Sequence, residues 1–218
     1  MDERALPRRA FTFEVKVVPK RPDWVVFSGK WRDLIDRNTR KKLLSGLPTT
    51  LVARAYLFDS TRTKRPVALS ATTCRVVYDL WDEVFRIEIS NRGARKRTQL
   101  SLNVEGVLRR CTEARREELA RAERVVAQGS YFVALIVEVN PLSKQMLDRI
   151  QRWVARPQGT RPPSSGDSLF GSFVGLFVTQ VPAADRALRF RSQRFVPQRL
   201  PRYRPKPKRR RKPVGDNG

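Results

Sequence analysis

The sequence predicts a β-rich α+β fold: a mainly antiparallel sheet or sandwich, two inserted helices and a disordered basic C-terminal tail. Three observations carry this prediction. Several short runs alternate apolar and polar residues with period two, as half-buried strands do. Two later segments place apolar residues at helical spacing between strand-like runs. From Pro197 onward apolar content collapses into Pro, Arg and Lys.

The first strand is "FTFEVKVV" (11–18), in which Phe11, Phe13, Val15 and Val17 alternate with Thr12, Glu14 and Lys16, and Pro19 and Pro22 end it. "DLIDRNTRKKLLSGLP" (33–48) reads as a short polar helix, with Gly46 and Pro48 as stop signals. "TTLVARAYLF" (49–58) and "VALSATTCRVVYDL" (67–80) form a strand pair joined by the basic loop "DSTRTKRP". A turn near Trp81–Glu83 then enters a strand with Phe85, Ile87 and Ile89 on one face. The loop 90–99 leads to "LSLNV" (100–104), which pairs back as a hairpin.

"GVLRRCTEARREELARAERVVAQG" (106–129) reads as the first inserted helix, with Leu108, Cys111, Leu119, Ala122 and Val126 on one stripe and Gly129 closing it. Pairs such as Arg109–Glu113 and Glu117–Arg121 add i,i+4 support. "YFVALIVEV" (131–139), apolar on both faces, is a central strand. The second inserted helix begins at Asn140–Pro141 and turns Leu142, Met146 and Ile150 inward. The stretch 157–168 is a Pro/Gly/Ser loop, and 169–181 and 187–196 are the last strands, the latter with Leu188 and Phe190 inward and Arg189 and Arg191 outward. The organisation is one domain over 1–196 followed by a tail over 197–218.

Charge is the strongest functional signal. The 218 residues hold 46 basic and 21 acidic side chains, a net charge of +25. Residues Arg199 to Gly218 supply +8 of it, so the body is basic without its tail. Such a field attracts polyanions, acidic surfaces or an acidic protein. Candidate contacts for nucleic acid or another polyanion are Arg92, Arg95, Lys96 and Arg97 in one loop and Arg189, Arg191 and Arg194 near the last strand. The tail adds Arg202, Arg204, Lys206, Lys208, Arg209, Arg210, Arg211 and Lys212. Its prolines favour an extended chain able to follow phosphates, each contact releasing counterions. Further basic residues are spread over Arg62, Lys64 and Arg65 and over Arg109 and Arg110.

Catalytic chemistry finds little support. The chain contains no His, which removes the usual base near neutral pH, the commonest metal ligand and every His-dependent nucleophile. No phosphate loop, nucleotide fingerprint or metal-ligand spacing is present, so no catalytic residue, metal or cofactor is expected. Asp79, Asp82 and Glu83 form the densest acidic cluster, better read as a turn held by Asp than as a carboxylate pair. Cys74 and Cys111 read as two buried thiols, with one disulfide left open. The longest apolar run, "YFVALIV" (131–137), is too short to span a bilayer, and "MDERALPRRAF" lacks a signal-peptide core. As written, the expectation is a cytoplasmic chain; with a signal removed, the periplasm or cell envelope.

The segments "LLSGLPTTLVARAYLF" and "CRVVYDLWDEVFRIEI", followed in order by "YFVALIVEVNPL" and "LFGSFVGLFV", resemble an uncharacterised bacterial family, one of the domains of unknown function. The similarity spans roughly residues 11–196. The resemblance implies no established activity and no catalytic residues, and it implies export to the cell envelope. The chain departs from that pattern in lacking the signal and in carrying the basic tail. Two readings follow: a non-enzymatic module that engages an anionic partner, and an envelope-associated interaction or scaffold protein with an acidic protein partner.

Overall fold

The computed structural model describes residues 6–91, 96–141 and 184–205. Two sheets share one core. The larger has the order β6-β5-β4-β3-β8-β9 and the smaller β10-β1-β2-β7. The strands of the larger sheet are β3 (Thr49–Asp59), β4 (Ala68–Asp79), β5 (Val84–Asn91), β6 (Arg97–Ser101), β8 (Tyr131–Val139) and β9 (Arg186–Arg191). The smaller sheet contains β1 (Thr12–Lys16), β2 (Trp24–Lys30), β7 (Glu113–Arg121) and β10 (Arg202–Tyr203). Every strand pair is antiparallel except β1 with β10, which is parallel.

Alternation in the sequence decides which side chains meet between the layers. Leu51, Ala55 and Leu57 of β3 share a face with Val133, Leu135 and Val137 of β8 and with Cys74 and Val76 of β4. The smaller sheet returns Phe13, Val25, Phe27 and Leu119 to the same core. Burial of this set is the main driving force for the fold. Aromatic rings join the layers: Phe11 stacks on Phe190 with centroids 6.0 Å apart, and Phe13 on Phe195 at 4.1 Å. Gly29 in β2 lies under the Phe11 ring, where any Cβ would collide with it. The central placement of 131–139 follows its two apolar faces, since β8 runs between β3 and β9.

The helix α1 (Arg37–Leu43) forms where the sequence places it. Asp36 caps it by accepting from Thr39 N–H at 2.8 Å, and Gly46, with φ +78°, makes the left-handed turn that ends the segment.

Three expectations are corrected. The helix over 106–129 is instead α2 (Val104–Cys111) followed directly by β7. The helical stripe is real as far as Cys111, and Gly106, Val107, Leu108 and Cys111 are buried. Thr112 then closes the helix, its N–H and hydroxyl both bonding to Leu108 O. The charged run beyond pairs as a strand with β2, because tertiary pairing outweighs the helix propensity of a short segment. That partner, Trp24–Lys30, is a strand that the pattern analysis leaves unassigned. The hairpin strand at 100–104 slides back to Arg97–Ser101, and Asn103 instead caps α2.

The second correction concerns sulfur: Cys74 and Cys111 are not free thiols but a disulfide with Cα atoms 5.6 Å apart. Both residues face the core, β4 from one layer and the end of α2 from the other.

The third concerns the domain's end. Residues 197–205, assigned to the tail on composition, pack on the body. Pro197 is buried, Gln198 N–H donates to Ala127 O at 2.9 Å, and β10 extends the smaller sheet through Val15 N–H to Pro201 O and Val17 N–H to Tyr203 O, both 2.9 Å. The second inserted helix, the 157–168 loop, the strand at 169–181 and residues 206–218 lie outside the described residues.

Candidate functional site

The smaller sheet does not cover the whole inner face of the larger one. Beyond β7, among the described residues, the inner face of β4, β5 and β6 is met by the end of α2, and a cleft of 490 Å³ lies there. Its floor is apolar, with Phe27, Ala53, Ala55, Ile89 and Leu135. Its polar wall holds Ser70, Thr72, Asn91 and Gln99. Four arginines, Arg97, Arg109, Arg110 and Arg115, line it from three different elements.

Local structure explains each placement. Arg97 stands opposite Ile89 in the β5–β6 ladder and therefore on the inner face. Arg109 and Arg110 occupy the last turn of α2, where the helix dipole favours cations. Arg110 is fixed as part of the wall: its Nε donates to Gln99 Oε1 at 2.7 Å and its Nη1 to Gly106 O at 3.0 Å. Arg115 donates to Glu113 Oε2 at 3.0 Å. Among the described residues, the guanidinium groups of Arg97 and Arg109 make no ion pair and no hydrogen bond.

A bulge puts an acid inside this basic cleft. On β2, Phe27 to Gly29 spans two residues, whereas their partners on β7, Glu117 and Ala114, are three apart. The extra residue switches which side chains face inward. Without it Ala114 and Arg116 would share the inner face; with it Glu117 turns in beside Phe27. Arg116 takes the strain, with φ +52°. Its N–H donates to Ser28 Oγ at 2.9 Å, and on the outer face its guanidinium grips Glu14 at 2.7 and 3.1 Å and lies 4.2 Å from the Tyr203 ring centroid.

Glu117 Oε1 accepts from Asn91 Nδ2 at 2.6 Å and from Thr72 Oγ1 at 3.4 Å. Burial raises its pKa above the ordinary carboxylate range, and the neighbouring Glu118 charge adds to the rise; the Thr72 bond and the Arg97 charge oppose it. Glu113, also on the cleft wall, goes the other way. Burial works against its charge, but the hydrogen bonds from Arg32 and Arg115 prevail and its pKa falls. The cleft thus holds a carboxyl inclined to keep its proton, a fixed carboxylate, and two unengaged guanidinium groups. That set can meet an anionic group by charge, with a buried carboxyl of raised pKa beside it.

Of the residues singled out from sequence, only Arg97, Arg109 and Arg110 come together here. Lys96 turns away and pairs with Glu88 at 2.8 Å. Arg189 is exposed on β9, the opposite edge of the sheet from β6, and Arg191 joins the N-terminal segment there through backbone bonds with Pro7 and Arg9. Arg194 follows β9, and Arg202 and Arg204 lie in and beside β10. Arg92, Arg95, Lys206, Lys208, Arg209, Arg210, Arg211 and Lys212 lie outside the described residues. The acidic cluster is a turn: Asp79 Oδ1 accepts from Trp81 N–H at 3.1 Å and Asp82 N–H at 3.2 Å, and Arg86 bonds to both Asp79 and Asp82. Among the described residues no cluster of acids and cysteines is arranged to hold a metal ion, and no helix is long and apolar enough to cross a membrane.

Sequence reasoning missed Glu117, Asn91, Thr72 and Arg115. The repeat of charges in "TEARREELA" was the available signal, and helical spacing absorbed it. No family model, no curated protein and no solved structure matches this chain.

Proposed function

We propose that this chain is a binding module for an anionic partner, and that the cleft between β7, α2 and the β5–β6 hairpin receives one of its anionic groups. The observation that carries this reading is the pair Arg97 and Arg109, which line the cleft together with Glu117 and, among the described residues, are held by no salt bridge and no hydrogen bond. A guanidinium offers planar, bidentate donors suited to phosphate, sulfate or carboxylate. The net charge of +25 steers such a partner to the surface over longer range. Nucleic acid or another polyanion fits this chemistry, with residues 206–218 adding sequence-independent contacts.

The test is binding of a fluorescent oligonucleotide and of heparin across a salt series. The intact protein is expected to bind at low salt, with affinity for duplex DNA falling by a log–log slope of about −0.9 per phosphate contact. The double variant R97A/R109A is expected to lose about tenfold or more in affinity, and removal of 206–218 to reduce the slope. No binding at low salt, or binding untouched by R97A/R109A, would sink the proposal.

A second reading, an envelope-associated interaction protein, is favoured by the Cys74–Cys111 disulfide, since such bonds persist in oxidising compartments. The resemblance to the exported bacterial family points the same way. Trapping thiols in intact cells discriminates: both cysteines blocked to alkylation supports this reading, and free thiols reject it.

A further inference from the structure

Seven large apolar side chains are exposed among the described residues, and six of them gather at one end of the larger sheet: Leu44, Leu47, Leu80, Trp81, Leu100 and Leu102. Strand register fixes this grouping. Asp79 pairs with Val84 across the turn that carries Leu80 and Trp81. Phe85 pairs with Ser101, so Leu102 leaves β6 beside that turn. Thr49, two residues beyond Leu47, pairs with Val76. The α1–β3 loop reaches the turn itself, for a Cβ on Gly46 would stand 3.1 Å from Leu80 Cδ1. The tips therefore follow the ends of four adjacent strands, a line about 14 Å long at roughly 4.8 Å per strand.

Water is a poor solvent for such a rim, and the turn does nothing to hide it. The two bonds from Asp79 fix the turn with Trp81 95% exposed, and Leu102 is 81% exposed. Contiguous exposed apolar groups of this kind mark interaction sites. Their shape narrows the partner. Most of these side chains stand in the connections at the strand ends, and a protein would need a matching surface for each, whereas the interfacial region of a bilayer accepts any exposed apolar side chain. Trp and Leu suit that region, the indole having an apolar body and a polar N–H.

Charge selects the lipid. Arg37, Arg40 and Lys41 are exposed on α1 next to the rim. Of the acids in the turn, Asp79 and Asp82 are tied to Arg86, which leaves Glu83. We infer that this rim docks on an anionic bilayer surface, with Trp81 and the leucines entering the interface and the α1 cations meeting the headgroups. The cleft extends away from the rim: its lining runs from Gln99, whose strand neighbour Leu100 belongs to the rim, to Asn91 at the far end of β5 from Val84, seven residues or roughly 23 Å away.

The experiment is co-sedimentation of the intact protein with vesicles of phosphatidylglycerol and phosphatidylcholine, against vesicles of phosphatidylcholine alone. Strong partition to the anionic vesicles is expected. Trp81→Ala and Leu102→Ser, at positions too exposed to support the core, should each lower it about tenfold, with thermal melting unchanged. R97A/R109A should leave partition nearly intact, which separates the rim from the cleft. Three results would overturn the inference. One is no partition of the intact protein. Another is partition that survives both rim substitutions. The third is a dimer in sedimentation velocity that Trp81→Ala converts to monomer, which would make the rim a contact between two copies.

Discussion

Glu117 concentrates the chemistry of this protein in one side chain. It is an acid turned into the cleft of a basic chain, and burial raises its pKa. The sign of its effect on stability follows. A carboxyl whose folded pKa is raised binds its proton more tightly when folded than when unfolded. Its contribution is fully present below the unfolded pKa and is lost as pH rises through the folded one. Glu117→Gln keeps the shape and removes the titration. The variant should match the parent below the ordinary carboxylate range and become the more stable of the two as pH rises above it. Denaturant unfolding at several pH values measures this, and parallel curves for the two proteins would show that Glu117 ionises freely. Glu113, four residues earlier, is held as a carboxylate by Arg32 and Arg115. The pKa values of the two acids therefore move in opposite directions within one cleft because their surroundings differ, not because their residue type does.

The element that matters most is β7. Its residues have good helix propensity and i,i+4 charge pairs, yet they pair with β2 over Trp24–Arg121 to Lys30–Glu113. The disulfide anchors the change of direction, because Cys111 ends α2 and is bonded to Cys74 in the opposite layer. A bridge closing a loop of this length contributes roughly 3–4 kcal/mol in the chain-entropy account. At the other edge of the same sheet, β10 completes β1 with only two residues. Its weight can be measured by truncation. A chain ending at residue 205 should melt within about 2 °C of the full protein, as the run 206–218 holds a single aliphatic side chain, Val214, to add to a core. A chain ending at 196 loses buried Pro197, the Gln198–Ala127 bond and the β10 ladder, and should melt about 5 °C or more lower. Equal melting of the two truncations would show that the β10 contacts carry no stability.

At the scale of the molecule, the basic residues divide into those held by acids and those that are not. Many body cations are engaged locally, as in the bidentate Arg9–Asp33 pair at 2.7 and 2.6 Å and the Lys42–Asp185 pair at 2.7 Å. Unengaged arginines remain at the cleft, exposed leucines and a tryptophan gather at one end of the larger sheet, and the cleft lining runs from Gln99 beside that end to Asn91 at the other end of β5. Local pattern in the sequence determined the strands β1, β3, β4, β5, β8 and β9, the short helix α1 and the turn at Asp79, because each rests on alternation, capping or turn chemistry between near neighbours. It also determined the excess of positive charge. Only the tertiary structure decided that a helical-looking run would become β7, that two cysteines 37 residues apart would bond, and that residues 197–205 would join the body. It alone brought Arg97, Arg109 and Glu117 to one cleft. These outcomes depend on which strand lies beside which and on a one-residue bulge, and contacts between distant segments leave no periodic trace in either segment alone.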